Sequence, residues 1–120
     1  MVKTGAVIVS AGRSTRMGGV DKTFAPILGK PLVAHTLDRF ESFSLVDQIV
    51  LVLAEDSLKR GRELIPEQGY RKVTHVCAGG ERRQDSVKNG LGLLSGCDSV
   101  MVHDGARLCF DEAILFFIYT

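Results

Sequence analysis

The sequence predicts a parallel α/β sheet covered by helices on both faces. Three mainly apolar runs, at residues 6–9, 48–53 and 99–103, are typical of strands buried on both sides, which do not alternate apolar with polar residues. Between these runs, apolar residues recur at helical spacing. Because strands and helices alternate at intervals that suit βαβ crossovers, we expect parallel pairing of the strands.

Each element has its own local signal. Pro31 suits the first turn of a helix, where its missing N–H costs nothing, and this helix is expected to continue through Phe40. A second helix is predicted over residues 57–65, ended by Pro66. The remaining predictions are a weak third strand at 73–76, a helix capped by Asp85 and weakened by Gly90 and Gly92, and a last helix beginning near Asp111.

The composition fits one globular domain of 120 residues in the cytoplasm. Fifteen Lys and Arg against fourteen Asp and Glu leave a net charge of +1, so no overall charge attracts nucleic acid or an anionic membrane. The apolar runs are shorter than the roughly 18 residues of a membrane helix, and the first is shorter than the about 7–15 of a secretory signal. Three cysteines without a CxxC pair favour a reducing compartment, where we expect them to act as small buried hydrophobic residues.

Three polar loops follow the predicted strands, at residues 10–24, 78–86 and 104–107. In an open α/β sheet, ligands bind beyond the carboxyl ends of the strands. Because all three loops are rich in Gly, Arg, Asp or Ser, we expect a functional site at this edge of the sheet.

The first loop combines glycines with three cations, Arg13, Arg16 and Lys22. Small residues allow the backbone to approach a ligand, and consecutive N–H groups can surround phosphate oxygens. The loop is neither a Walker A motif nor a Rossmann fingerprint, since GxxxxGK[ST] and GxGxxG are both absent. Phosphate binding is the functional interpretation, and a solvated surface loop is the alternative.

The second loop offers donors and acceptors around Gly79 and Gly80, although Asp85 or Ser86 taken alone is better interpreted as a helix cap. In the third loop, Asp104 at the mouth of a parallel sheet suits Mg²⁺, which favours one or two carboxylates plus substrate phosphates. The alternative for Asp104 is a surface pair with an arginine. His103 is expected to pack or to form hydrogen bonds, because no zinc-site spacing occurs.

Taken together, these loops resemble the 2-C-methyl-D-erythritol 4-phosphate cytidylyltransferases of the non-mevalonate isoprenoid pathway. That family carries AAGxGxRMGxxxPKQF, GKPxxxHTxxxF, GGxxRxxSVxxGL and VHDAARP, and the counterparts here are residues 10–24, 29–40, 79–91 and 102–107. Four matches in order are specific. The resemblance implies a Rossmann-like (GT-A-like) nucleotidyltransferase fold, of which residues 1–120 would be the N-terminal, nucleotide-binding part, with the C-terminal portion absent.

The resemblance also implies site residues. Arg16 and Lys22 would be catalytic, by neutralising the triphosphate and the charge that builds during attack at the α-phosphorus. Gly80, Glu81 and Ser86 would read the cytosine, and Asp104 would hold Mg²⁺ or another divalent cation. The whole implied substrate-binding set is Ser10, Ala11, Gly12, Gly80, Glu81, Arg83, Ser86, Asp104, Ala106 and Arg107.

The chain departs from the family pattern in the first loop. Asp21 stands where the family has Pro, in a segment that is one residue shorter. Two interpretations follow: either a different turn holds Lys22, or the assignment of Lys22 is wrong. Further departures include Ser10 for Ala, Ser14 for Gly, Thr23 for Gln, and Leu108 for the Pro that normally follows Arg107.

Length is the largest departure, because members of the family are longer and their later half supplies a dimer-forming arm and residues for the second substrate. We therefore expect a chain truncated to its N-terminal half. The apolar residues 114–120 are typical of a truncated or frame-shifted end rather than of a native terminal helix.

The predicted reaction transfers CMP from CTP to 2-C-methyl-D-erythritol 4-phosphate and releases pyrophosphate. The alternatives are a related ribitol-phosphate or molybdopterin nucleotidyltransferase, or an inactive remnant that binds nucleotide. The expected partners are CTP and methylerythritol phosphate, without nucleic acid or membrane, and full-length members would be homodimers.

Overall fold

The computed structural model describes residues 3–11, 16–17, 20–105 and 114–117, and for residues 16–17, 20–22 and 114–117 only the backbone is described. Short 3-10 turns occur at Lys22–Phe24 and Glu55–Ser57. None of the described helices is long and apolar enough to cross a bilayer. In chain order the elements are β1 (Thr4–Ser10), β2 (Arg16–Met17), β3 (Val20–Asp21), β4 (Pro26–Ile27), β5 (Lys30–Pro31), α1 (Leu32–Ser42), β6 (Gln48–Leu53), α2 (Leu58–Gln68), β7 (Val73–Ala78), α3 (Arg83–Leu91), β8 (Ser99–Asp104) and β9 (Ile114–Phe117).

Within the described residues, five strands form the main sheet, in the order β7-β6-β1-β8-β9. β1 lies at the centre and pairs in parallel with β6 on one side and β8 on the other, while β7 pairs in parallel with β6. The chain moves from β1 through β6 to β7 and then crosses to β8 on the opposite side of β1. This reversal creates a topological switch point between β1 and β8. The predicted parallel α/β sheet is confirmed.

Helices cover both faces of the sheet. Successive side chains of a strand point to opposite sides, so the buried strands present apolar side chains to a core on each face. All six residues of β6 are buried, as is β1 after its first residue. On one face, α1 and α2 complete a core cluster that includes Ala6, Ile8, Val33, Leu37, Phe40, Ile49, Leu51, Leu53 and Leu64. On the other face, Val87 and Leu91 of α3 pack against a cluster of Val7, Val9, Val50, Val52, Val100 and Val102.

The second helix continues past Pro66, so the prediction that this proline ends the helix is wrong. A proline in the last turn removes one backbone donor and leaves most of the intrahelical hydrogen bonds in place. The helix ends instead at Gly69, whose φ of 72° lies in the left-handed region. The N–H of Gly69 donates to the Pro66 carbonyl at 3.2 Å and that of Tyr70 to the Ile65 carbonyl at 3.1 Å, which is the Schellman motif.

The end of the described chain is a strand where a helix is predicted. Asp111 lies outside the described residues, but residues 114–117 form β9, antiparallel to β8, with Ile114 opposite Val102 and Phe117 opposite Ser99. The prediction of a helix here is therefore wrong. A short apolar run does not distinguish helix from strand by its periodicity, and β9 pairs with the edge of β8 that faces away from β1.

We predict opposite effects of alanine at two glycines near the end of α3. A Cβ at Gly90 would lie 2.5 Å from Val7 Cγ1 and 3.0 Å from Val52 Cγ2, whereas a Cβ at Gly92 would meet nothing closer than the Lys88 carbonyl at 3.6 Å. Gly90→Ala should therefore lower the free energy of unfolding by about 1–3 kcal/mol, through overpacking.

Gly92→Ala is the matched control. Gly92 has a helical backbone, with φ −64° and ψ −17°, so alanine there should be neutral or should raise the free energy of unfolding by up to ~1 kcal/mol. Urea unfolding of both variants tests the pair. A gain in stability at Gly90 would contradict the close packing of α3 on the sheet.

Candidate functional site

The loops that follow β1, β7 and β8 leave the same edge of the sheet. The register pairs Ser10 with Leu53, Leu53 with Ala78, and Val9 with Asp104. The carboxyl ends of the four parallel strands therefore lie side by side, and the switch point between β1 and β8 lies among them. This is the edge at which open α/β sheets bind ligands.

The first and second loops touch at Ala11 and Gly79. The N–H of Gly79 donates to the Leu53 carbonyl at 2.8 Å, which continues the pairing of β6 and β7 by one residue. A Cβ on Gly79 would overlap the Cβ of Ala11 and the hydroxyl of Ser86. Glycine at this position therefore allows the two loops to approach each other at backbone distance.

The third loop begins with Gly105, which is fixed from two sides. Its N–H donates to the Val9 carbonyl at 2.9 Å, and its carbonyl accepts a hydrogen bond from the hydroxyl of Thr36, on α1, at 3.1 Å. A Cβ on Gly105 would lie 2.8 Å from Ser10 Oγ and 2.9 Å from Ile8 Cγ2. The start of the third loop is therefore packed directly against the end of β1.

The turn that contains Lys22 also meets the end of β1. The Thr23 hydroxyl donates to Ser10 Oγ at 3.1 Å and lies 3.4 Å from the Ser10 carbonyl oxygen. Phe24 is buried in the core, and the guanidinium carbon of Arg60 lies 4.5 Å from the centre of its ring. The Lys22 backbone is therefore held in a 3-10 turn whose next two residues are both anchored.

Before this turn, the first loop folds back on itself. β2 and β3 form an antiparallel ladder in which Arg16 lies opposite Asp21 and Met17 opposite Val20. Lys22 comes directly after Asp21, the residue opposite Arg16. The backbone thus brings positions 16 and 22, which the resemblance implies to be catalytic, close together along the first loop.

The second loop is organised by the beginning of α3. Ser86 is buried, and its hydroxyl accepts the Gly80 N–H at 3.1 Å. Asp85 lies in the first turn rather than at the cap: the capping position is Arg82, and the Asp85 carboxylate accepts its backbone N–H at 3.2 Å. The prediction that Asp85 occupies the capping position is therefore wrong, although its carboxylate binds the N–H of the residue that does. The hydrogen bond from the Arg82 guanidinium, at 3.1 Å, holds the pKa of the Asp85 carboxyl below its usual range.

The remaining implied site residues have different environments. Glu81 and Arg83 are exposed within the second loop, and Asp104 is half-buried at the end of β8. The Ser10 hydroxyl is fully buried and engaged by Thr23, so a ligand contact of Ser10 would involve its backbone. Gly12, Ala106 and Arg107 lie outside the described residues, and the side chains of Arg16 and Lys22 are not described.

Three further residues support the site and are not among those predicted from the sequence: Thr23, Thr36 and Gly105. For Thr23, the sequence contained a signal: Ser10 and Thr23 both depart from the family pattern, and the structure shows that they contact each other. Thr36 belongs to the quoted motif GKPxxxHTxxxF, but no local pattern shows that its hydroxyl contacts a loop 69 residues away along the chain.

The histidines and cysteines have local roles. His103 is buried and packs against Phe40 with ring centres 5.4 Å apart, in agreement with the predicted packing role. His35 Nε2 lies 2.6 Å from the Ile27 carbonyl oxygen, and His75 is exposed on β7. Cys77 and Cys97 are free thiols that are partly rather than fully buried, and burial raises the pKa of both, while Cys109 lies outside the described residues.

A family model described as 2-C-methyl-D-erythritol 4-phosphate cytidylyltransferase matches residues 4–119 of this chain. A protein of that name from Dehalococcoides mccartyi is 52% identical over 109 residues, which cover 91% of this chain and 48% of that protein. Another, from Clostridium acetobutylicum, is 38% identical over 112 residues, which cover 92% of this chain and 49% of that protein. The chain therefore spans about half the length of the curated relatives it matches.

Solved structures agree with these matches. The crystal structure of 4-diphosphocytidyl-2C-methyl-D-erythritol synthase from Anaerococcus prevotii aligns with a TM-score of 0.74 and 25% identity, over 89% of this chain and 44% of that one. This likeness confirms the α/β Rossmann-like nucleotidyltransferase fold that the motifs imply. Since the family model matches nearly every residue from one end to the other, this chain belongs to the 2-C-methyl-D-erythritol 4-phosphate cytidylyltransferase family.

Proposed function

We propose that this chain is the nucleotide-binding part of an enzyme that transfers CMP from CTP to 2-C-methyl-D-erythritol 4-phosphate, giving 4-diphosphocytidyl-2-C-methyl-D-erythritol and pyrophosphate. The observation that supports this proposal most directly is the meeting of three loops around Ser10 and Ala11, at the switch point of the sheet. Those loops contain three of the four motifs by which the chain resembles its family.

The first loop would bind the triphosphate. In the reaction, an oxygen of the methylerythritol phosphate group attacks the α-phosphorus of CTP. The bond from that phosphorus to the oxygen shared with the β-phosphate breaks as the new P–O bond forms, and pyrophosphate leaves with the shared oxygen. Charge spreads over the phosphoryl oxygens during this displacement, so fixed cations accelerate it more than a covalent nucleophile would. Arg16 and Lys22 would supply those cations.

A divalent cation, Mg²⁺ in the simplest case, would bind at Asp104. Within the described part of the chain, no three His, Cys, Asp or Glu side chains come together to enclose a metal ion. A single half-buried carboxylate at the sheet edge suits an ion that completes its coordination with substrate phosphates and water. When bound, the ion would neutralise charge on the triphosphate oxygens.

The second loop would read the base. Gly80 is held by Ser86, and a Cβ on Gly80 would overlap the Cβ of Asp85, so this turn is packed closely against the start of α3. A fixed turn of this kind would accept a pyrimidine and crowd a purine, while Glu81 pairs with the cytosine edge and Ser86, whose buried hydroxyl holds Gly80, fixes the turn. Arg83, exposed at the start of α3, would add a charge near the nucleotide, and Ala106 would lie at the ribose.

The second substrate would contact Arg107. The complete family protein would act as a cytoplasmic homodimer on CTP and methylerythritol phosphate, without nucleic acid or membrane. The first alternative is a related enzyme that acts on ribitol phosphate or a molybdopterin cofactor, and the sequences HDGAR and GGERRQDSV favour the isoprenoid enzyme over both. The second alternative is a protein that binds nucleotide without turning it over.

We predict that CTP binds more tightly than ATP or GTP. A purine would collide with the Gly80–Glu81 turn, and an incorrect base would leave buried polar groups unpaired. We expect a preference of at least about tenfold, since each ~1.4 kcal/mol of lost pairing is tenfold in affinity. Competition titration with the four nucleoside triphosphates measures it. Equal affinity for all four would indicate a generic phosphate site.

We also predict that Lys22→Ala weakens CTP binding by about tenfold or more, because a charge-assisted contact to phosphate contributes roughly 1.5–3 kcal/mol. Lys59→Ala is the matched control, since Lys59 is exposed on α2 and its loss changes the net charge equally. Calorimetric titration with CTP and Mg²⁺ should separate the two variants. Equal weakening by both would point to a general charge effect and against a role for Lys22.

We expect the 120-residue chain on its own to show little or no turnover. Arg107 is the one implied contact for methylerythritol phosphate, and one arginine cannot fix both the phosphate and the angle of attack. Orientation can be worth about 7–11 kcal/mol of a barrier, so losing part of it slows a reaction by orders of magnitude. A pyrophosphate-release assay with CTP, Mg²⁺ and methylerythritol phosphate measures this. A rate near that of the Dehalococcoides mccartyi relative would contradict the expectation.

A further inference from the structure

Three residues at which this chain differs from the quoted family motifs lie in contact with one another. The motifs have Ala, Gln and Ala where the chain has Ser10, Thr23 and Gly105. Ser10 and Thr23 are both fully buried, with their hydroxyl oxygens 3.1 Å apart, and the nearest atom to a Cβ built on Gly105 is Ser10 Oγ, at 2.8 Å. These contacts link positions that are far apart in sequence.

We propose that Ser10 and Thr23 are positioning residues, whose buried hydroxyl pair fixes the turn beginning at Lys22 against the end of β1, and that Gly105 provides the space this pair requires. The proposal rests on the proposed function, because Lys22 matters only if the first loop binds a triphosphate. It goes further by naming what holds Lys22 in this chain.

The turn at Lys22 lacks a restraint that the family pattern provides. That pattern has a proline before the lysine, and a proline ring fixes φ near −65°. Here the position is Asp21, in a segment one residue shorter, so the restriction by the ring is absent. Thr23 directly follows Lys22, and its hydroxyl bond to Ser10 restricts the same three-residue turn from its centre.

The side chains of Ser10 and Thr23 fit each other in size and in hydrogen bonding. Thr23 is fully buried, so the longer Gln of the family pattern would need a different arrangement here. Alanine at position 10 would remove the acceptor at 3.1 Å, while the longer contact from the Thr23 hydroxyl to the Ser10 carbonyl oxygen, at 3.4 Å, would remain. The serine and threonine therefore depend on each other.

The same pair is in contact with the third loop. With Ser10 in place, a Cβ on Gly105 would meet Ser10 Oγ at 2.8 Å and Ser10 Cβ at 3.3 Å. The alanine of the family pattern would therefore push the third loop away from β1, although the N–H of Gly105 donates to Val9 and its carbonyl accepts from Thr36. The glycine therefore keeps the backbone that follows Asp104 against the end of β1.

The test uses the 120-residue chain, with thermal unfolding and CTP affinity measured on each variant. Thr23→Val removes the hydroxyl and keeps the shape, whereas Thr23→Ser keeps the hydroxyl. We expect Thr23→Val to lower the unfolding midpoint by about 3–6 °C, as the loss of one buried hydrogen bond does in a domain of this size. We also expect it to weaken CTP binding about five- to tenfold at temperatures well below the midpoint, while Thr23→Ser changes affinity less than about twofold, because it retains the donor.

Two double variants test the contacts themselves. Ser10→Ala combined with Thr23→Val should lower the midpoint by clearly less than the sum of the single changes, since each removes the same bond. Gly105→Ala should lower the midpoint in the natural chain and lower it less when Ser10→Ala is present, because one of the two close contacts of the new methyl group is then gone. Additive losses in both pairs would overturn the proposed network.

The outcomes separate this inference from the proposed function. If Thr23→Val lowers the midpoint but leaves CTP affinity unchanged, the positioning role is overturned and the proposed function stands. If the natural chain binds no nucleoside triphosphate, the proposed function fails and the positioning role fails with it, even where the unfolding data are non-additive.

Discussion

The candidate site depends on the parallel pairing of β1 with both β6 and β8. Because β1 is apolar along most of its length, it can be covered by helices on both faces, and a strand covered in this way is a stable centre for a parallel sheet. Parallel neighbours end at the same side, so the polar loops after β1, β7 and β8 open at one edge. Without this pairing, nothing would place Ser10, Gly79 and Gly105 close together in the structure.

Close backbone approach is the second requirement, and glycine provides it at two places. A methyl group on Gly79 would strike the first loop, and one on Gly105 would strike the end of β1. Neither glycine has the left-handed φ found at Gly69, so both are needed for space and not for conformation. The described parts of the three loops are thus in contact without any ligand, as the pre-organisation that charge stabilisation requires would demand.

The sequence predicts most of the sheet but fewer of its boundaries and contacts. β1 and β6 could be predicted because each is an apolar run followed by polar residues, as buried strands are, whereas β9 is a four-residue run that fits helix and strand equally. The end of α2 depends on Gly69, but Pro66, three residues earlier, is the stronger local signal in the sequence, so the prediction ends the helix too early. At the site, residue types in each loop could be predicted from chemistry, but the Ser10–Thr23 bond joins residues 13 positions apart through a turn that no local pattern specifies.

The strand order also has a consequence for how the site moves. β1 is paired with a strand on each side, so its amides should exchange with solvent only when the whole sheet opens. By contrast, β7 is the end strand on its side among the described residues, and its Thr74 and His75 are exposed. The first and third loops are attached to β1 and β8, at the protected part of the sheet, while the Gly79–Gly80 turn is attached to β7. The Gly79–Gly80 turn, which is proposed to read the base, therefore lies on the part of the described sheet that should open most readily.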